Sequence, residues 1–373
     1  LRAKIDVLRT EMNAVFKERS SVVEGLIAAL LSGEHVLLLG PPGTAKSLLA
    51  STMSSAITDA QYFQWLLTKF STPEELFGPI SLKGLEEDRF RRNQDGKLPQ
   101  AHLAFCDEIF KANSSILNAL LTLLNERIVY NDGVHACPLL TLVGASNELP
   151  ESDALNALFD RFLLRFWVDP IADRGNMKAV LSGAEPSISA TLTLAEVEQA
   201  KRDAALVPVP DAILETLLDV KQATERAGFK SSDRRWRKIL RVLKAHAYAS
   251  GDPEVSTEHF DILPDMLWSE PKQRPKLASE IGKVANPRGA KAQELLDAAK
   301  ELVAGVPDAS VGRSAYLVKV GEATTELQKL HEKAVEVAQD GPQNRKLNAA
   351  VEEIKRLHGE IQKGAQRALG LLR

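Results

Sequence analysis

The stretch His35-Val36-Leu37-Leu38-Leu39-Gly40-Pro41-Pro42-Gly43-Thr44-Ala45-Lys46-Ser47-Leu48-Leu49-Ala50 decides the reading of this chain. Its opening is a short apolar run of the kind that fills a buried strand, and its last residues start an apolar helix. Between them, Gly40 to Ser47 match the phosphate-binding pattern G-x-x-x-x-G-K-[ST], except that Ala45 stands where the last glycine is expected. Strand, glycine-rich loop and helix, in that order, are the context the motif requires. Backbone N–H groups of residues 43 to 48, aimed by the loop and by the positive end of the helix, are expected to surround nucleotide phosphates. The predicted binding set is Gly40, Pro41, Pro42, Gly43, Thr44, Ala45, Lys46, Ser47 and Leu48. Lys46 would neutralise the β- and γ-phosphates of ATP or ADP, and the Ser47 hydroxyl would ligate Mg²⁺. Ala45 is expected to tolerate its place by staying near helical geometry.

A second apolar strand, Leu103-Ala104-Phe105-Cys106, ends in Asp107-Glu108. Acidic residues also end ordinary strands, and it is the upstream phosphate loop that gives this pair its meaning. Asp107 is expected to hold Mg²⁺ through water, and Glu108 to polarise the attacking water. A third strand, Leu139 to Ala145, delivers Ser146-Asn147-Glu148. The Asn147 amide can orient the lytic water or touch the γ-phosphate; the competing reading is a loop asparagine that caps the next helix. Ligands of parallel sheets bind at the carboxyl ends of the strands, which favours the first role.

The whole chain sets the frame around these segments. With 373 residues, 44% hydrophobic, 26% charged and a net charge of -3, it has room for about two to three domains. That composition excludes bulk disorder and collagen-like or mucin-like architectures. No apolar run reaches the roughly 18 to 20 residues of a membrane span. The chain opens on Leu1, as a trimmed start would, and its first residues interleave charge with apolar groups instead of forming a signal-peptide block. Cys106 and Cys137 make no disulfide framework and are expected to be reduced thiols, which places the protein in the cytoplasm.

Together the segments resemble the AAA+ ATPases and, within them, the MoxR family, most closely its RavA-like branch. The resemblance covers roughly residues 15 to 270. It is carried by Glu18-Arg19-Ser20, the loop at 40 to 47, Phe70-Ser71-Thr72-Pro73-Glu74-Glu75-Leu76-Phe77-Gly78-Pro79, Asp107-Glu108, Asn125-Glu126-Arg127, Ala145 to Pro150, Asp160-Arg161-Phe162 and Ser232-Asp233-Arg234-Arg235-Trp236. Alanine before the loop lysine is usual in that family. The resemblance implies a three-layer αβα nucleotide-binding core at 1–170, a helical lid at 171–270 and a helical extension at 271–373. It also implies ATP bound at a subunit interface of a homo-oligomer, in all expectation a hexamer. By that analogy Asn147 is the first sensor, Arg161 the arginine finger and Arg234 the lid sensor, although Arg235 competes for the last role. From the residues alone, Arg161 could simply pair with Asp160. The clade also carries two pore-directed hairpins, for which Ser81 to Pro99 and Arg127 to Pro138 are the candidates.

Charge is distributed unevenly. Residues 271 to 373 hold 18 Lys+Arg and 13 Asp+Glu, which leaves 29 and 37 for residues 1 to 270. The basic tail holds a single aromatic residue, Tyr316, and reads as long helices packed on one another. Leu347, Ile354, Ile361 and Ala368, with Ala350, Leu357, Gly364 and Leu371, form a heptad seam after a break at Gly341-Pro342. That seam fits helices folding back on each other better than an intermolecular coiled coil. RavA-like relatives can carry a β-rich partner-binding insertion in this region, and no such insertion is legible between Val303 and Ala315. The function implied is Mg²⁺-dependent ATP hydrolysis that remodels or matures a protein client, with a von Willebrand factor A-domain (VWA) partner. The alternative is a nucleic-acid motor of the same hairpin-bearing, helix-2-insert clade. Against it stand the acidic body and a tail without base-stacking aromatics; the tail's positive excess is what keeps it in view.

Overall fold

The computed structural model describes residues 1–183, 188–306, 313–339 and 345–369. Five strands, β1 (Val36–Leu39), β2 (Tyr62–Leu66), β3 (Leu103–Asp107), β4 (Thr141–Ser146) and β5 (Leu164–Trp167), form a parallel sheet in the order β2-β3-β4-β1-β5. Every residue of β1 and β4 is buried, as expected of parallel strands covered on both faces. The register sets Leu39 beside Ser146 and Trp167, and Leu66 beside Asp107. The ends of β1, β3 and β4 therefore lie on one edge of the sheet, and the phosphate loop, Asp107-Glu108 and Asn147 all leave from it.

Local chemistry fixes the helices around the sheet. The helix Ser20–Ser32 stops at Gly33, whose φ of 72° is the left-handed geometry glycine adopts freely. Asn113 caps Ser114–Glu126 by accepting from the N–H groups of Ser115 and Ile116 at 3.1 Å, and its amide donates to Ser71 O at 2.6 Å. His35, fully buried at the start of the sheet, donates through Nε2 to Leu124 O at 3.1 Å and accepts the Leu142 N–H on Nδ1 at 3.0 Å. Burial holds its pKa well below the ordinary value, so a neutral ring braces helix against sheet.

The connection from β5 to the lid is held differently. The helix Arg174–Ser182 buries no residue. Ahead of it, the Glu18 carboxylate accepts from the N–H groups of Ala172 and Asp173 and from the Asn176 amide, at 2.9 to 3.0 Å. Beyond it, the Glu11 carboxylate accepts from the N–H groups of Ser189 and Ala190 at 2.8 and 2.9 Å. The lid helix Asp233–Ser250 then packs on Ser20–Ser32 and on Leu194–Ala205.

The two expected hairpins differ from each other. Arg127 to Pro138 does contain one, with Ile128–Tyr130 antiparallel to Val134–Ala136 and Asn131-Asp132-Gly133 at the turn. Ser81 to Pro99 does not: Ser81 caps a short helix, Leu82–Glu86, and the segment is closed by an isolated bridge between Ile80 and Arg92. The Ser81 hydroxyl takes the Gly84 N–H at 3.2 Å, a local bond that starts a helix instead of a strand. Asn131 ties the two inserts, its amide accepting the Arg92 N–H at 2.6 Å and donating to Arg92 O at 3.3 Å.

The chain divides into two compact units, 1–214 with 228–277, and 215–227 with 278–373. In the second, Pro287–Ala304, Arg313–Gln339 and Arg345–Leu369 pack on one another. Leu347, Ala350, Ile354 and Leu357 lie in the core they share with Leu295, Leu327 and Ala334, and Ile361 packs against its edge. The heptad seam is thus used within the chain. Gly341-Pro342, Leu371, the Ala368 side chain and the middle of the interval from Val303 to Ala315 fall outside the described residues. Among the described residues no helix is long and apolar enough to cross a membrane.

Candidate functional site

The helix Lys46–Ser55 begins directly at the phosphate loop, and its first backbone bond back into the loop is Leu49 N–H to Ala45 O at 2.9 Å. The N–H groups of Lys46, Ser47 and Leu48 therefore have no acceptor within the helix, the usual state of a helix start and the reason such a start attracts anions. Two glycines shape the loop for different reasons. Gly40 has φ 138°, and a Cβ there would lie 2.4 Å from Val168 O, so the chain passes β5 too closely for any side chain. Gly43 has φ 78° and open space around it. Ala45 departs from expectation: its φ of 66° and ψ of 24° are left-handed, not near the right-handed helical geometry. The chain must reverse there to enter the helix, which is why glycine is the commoner choice, and alanine holds the place at the backbone cost that its Cβ imposes.

The Lys46 ammonium is buried and makes three bonds, to Gly40 O at 2.7 Å, Pro41 O at 2.8 Å and Asn147 Oδ1 at 3.2 Å. Burial lowers its pKa, and the charges of Asp107 and Glu108 oppose that shift. Asn147 turns its other end to Glu108, donating from Nδ2 to Oε1 at 2.7 Å. The second carboxylate oxygen of Glu108 lies 3.4 Å from Lys111 Nζ. Glu108 itself has φ 51°, and its N–H donates to Asp107 Oδ1 at 2.9 Å. Asn147 thus links Lys46 and Glu108 by hydrogen bonds, and the Glu108–Lys111 ion pair extends that line beside the loop. The exposed Ser47 hydroxyl and the Asp107 carboxylate are hard oxygen donors of the kind Mg²⁺ takes, with phosphate and water to fill the remaining positions.

The arginines separate by burial. Arg235 is 6% exposed and fully engaged, donating to Asp160 Oδ1 at 2.9 Å, Met266 O at 2.6 Å and Leu163 O at 3.0 Å. Arg234 is exposed. The simple Arg161–Asp160 pair is only a distant contact at 4.0 Å, and Arg161 Nε is buried without a hydrogen-bond partner. Sequence reasoning missed Lys111 and Arg165. Lys111 stands three residues after Glu108, a separation that brings side chains together on a turn. Arg165 was detectable as a lone charge inside the apolar strand Leu163 to Trp167, since a buried charge needs a built set of partners. Its partners are the carbonyls of Phe159, Phe162 and Trp268, at 2.7 to 3.2 Å.

Residues 3–203 match the family model described as the MoxR domain in the MoxR-vWA-beta-propeller ternary systems, and residues 212–281 match that of an AAA lid domain. The uncharacterized protein MJ0812 of Methanocaldococcus jannaschii is 40% identical over 285 residues, 76% of each chain. Chaperone MoxR1 of Mycobacterium tuberculosis is 24% identical over 280 residues, 69% of this chain and 72% of that one. Among solved structures, a proposed ATPase from Cytophaga hutchinsonii superposes with a TM-score of 0.62 at 18% identity, covering 76% of this chain and 95% of that one; the likeness is one of fold.

Proposed function

Because the chain belongs to the MoxR family of AAA+ ATPases, we propose that it hydrolyses ATP with Mg²⁺ and spends the energy on remodelling or maturing a client protein. The observation that carries this reading is the line of hydrogen bonds from Lys46 through Asn147 to Glu108 at the mouth of the phosphate loop. The loop N–H groups and Lys46 bind the phosphates. Ser47 and Asp107 would hold Mg²⁺, which would supply charge neutralisation at the phosphates. Glu108 accepts the proton of the attacking water, and Asn147 sets the orientation of Glu108 while sensing the γ-phosphate.

Arg161 completes the site of a neighbouring subunit in a ring, in our reading a hexamer, and Arg234 senses nucleotide from the lid. What supports Arg234 over Arg235 is that Arg235 has every donor direction committed elsewhere. The VWA partner rests on the systems for which the matching family model is described. A cytoplasmic setting is supported by two buried free thiols, Cys106 and Cys137; burial pushes the Cys106 thiol up to about 12, so it stays protonated and unreactive. Glu108→Gln should bind ATP with little change and lose steady-state turnover. Near-normal hydrolysis by that variant would remove Glu108 from its role.

A further inference from the structure

Asp160 sits among three guanidinium groups. Its Oδ1 lies 2.9 Å from Arg235 Nη1 and 3.6 Å from Arg165 Nη2, and its Oδ2 lies 4.0 Å from Arg161 Nη1. Arg235 belongs to the lid helix Asp233–Ser250 and Arg165 to β5, and both are buried, whereas the Asp160 side chain is 58% exposed. The two buried arginines also hold the backbone on both sides of Arg161. Arg165 donates to Phe159 O at 3.2 Å and Phe162 O at 3.1 Å, and Arg235 donates to Phe162 O at 3.3 Å and Leu163 O at 3.0 Å. Every residue from Phe159 to Leu163 except Arg161 itself is gripped, and Arg161 keeps its Nε without a partner.

We propose that Arg235, acting through Asp160, is the positioning residue for Arg161, so that the first turn of one lid helix both reads the subunit's own nucleotide through Arg234 and aims the arginine that serves its neighbour. This rests on the reading of Arg161 as a group acting in trans. The chemistry is that of a rigid fork. A guanidinium donates in several fixed directions at once, to the carboxylate and to backbone carbonyls, and any tilt of the lid helix is passed to the segment that carries Arg161. Displacing a catalytic group by about 1 Å can cost on the order of 100-fold in rate, and loss of an arginine finger about 10³ to 10⁵. Weakening the anchor should therefore fall between no effect and removal of Arg161.

The test is Asp160→Asn in the full chain, read as kcat, ATP dissociation constant and melting temperature, alone and after mixing with excess Lys46→Ala subunits. Those subunits have a dead loop of their own and an intact Arg161. The expected result is a fall of about 10- to 100-fold in kcat, unchanged ATP affinity, and recovery of turnover in mixed rings, where intact neighbours supply the arginine. Wild-type kcat in Asp160→Asn overturns the proposal. So does a loss that mixing fails to restore, since the defect would then lie within the subunit's own site. Arg235→Lys, which keeps the charge and loses the fork, should behave like Asp160→Asn and carries the same test if the first variant does not fold. Arg161→Ala in the same mixing format keeps the two readings apart: normal turnover there refutes the shared site itself, whereas loss and rescue there, with no effect of Asp160→Asn, refutes only the anchor.

Discussion

The two glycines of the phosphate loop should fail in different ways when changed to alanine. At Gly40 the new Cβ would sit 2.4 Å from Val168 O and 3.1 Å from Val168 C, about 1 Å inside ordinary contact with the oxygen. Val168 cannot withdraw without loss, because its own N–H donates to Leu39 O at 2.7 Å and closes β5 onto β1. The backbone at φ 138° adds strain of about 1 to 3 kcal/mol for any residue with a side chain, and overpacking adds about 1 to 3 kcal/mol. A total of about 2 to 6 kcal/mol is a large share of the roughly 5 to 15 kcal/mol that holds a typical domain folded. At Gly43 the left-handed backbone costs about 1 to 2 kcal/mol, and nothing lies within 4 Å of the new methyl. Its damage should be to phosphate binding. The assay is urea unfolding without nucleotide, followed by circular dichroism, set beside ATP affinity. Gly40→Ala should lose about 2 to 6 kcal/mol before ATP is added, while Gly43→Ala should lose about 1 to 2 kcal/mol and bind ATP more weakly. A loss below about 1 kcal/mol in Gly40→Ala would refute the close approach of loop and strand.

Three further outcomes follow from particular residues. Ala45→Gly relieves the left-handed strain but loosens the unfolded chain, so it should raise stability by about 0.5 to 1 kcal/mol, measured by the same unfolding curves; a loss would mean that the methyl group is contributing contacts. Burial pushes His246 down to about 4 from an ordinary 6.5, reinforced by the charges of His259 and Arg9 and opposed by that of Asp252. Between those two values the unfolded chain carries a proton that the native one does not. Its contribution is therefore complete above pH 6.5 and falls as the pH drops towards 4, by about 2 kcal/mol at pH 5; His246→Gln should flatten that dependence in urea midpoints. Asn113→Ala removes the cap of Ser114–Glu126 and the bond to Ser71 O, and should cost about 1 to 2 kcal/mol in thermal or urea unfolding.

Much of the sheet was legible because its signals are local. A buried strand must be apolar, and the loop that follows β1 must be small and rich in glycine, so His35 to Ala50 could be read alone. The strand ends at Asp107 and Asn147 were legible for the same reason. What sequence could not supply was partnership between distant residues. Nothing near Asn147 says that its amide lies between Lys46 and Glu108, and nothing near Arg234-Arg235 says which of the two turns inward. The insert from Ser81 to Pro99 was misread because Asp95-Gly96 is a genuine turn, with Gly96 at φ 64°, but one that joins irregular segments instead of two strands. Ala45 was misread because residues with a Cβ can hold left-handed geometry, as Ala45 and Glu108 both do, at a cost that composition does not display.

The segment Arg174–Ser182 differs from every strand of the sheet in what holds it in place. A helix that buries nothing, with the Glu18 carboxylate on the N–H groups just ahead of it, contributes almost nothing to the hydrophobic free energy of the fold. Its opening free energy belongs at the low end of the range that local fluctuations span, far below that of β1 or β4. Amide hydrogens of residues 172–182 should exchange orders of magnitude faster than those of 36–39, a difference that native-state hydrogen exchange reads directly.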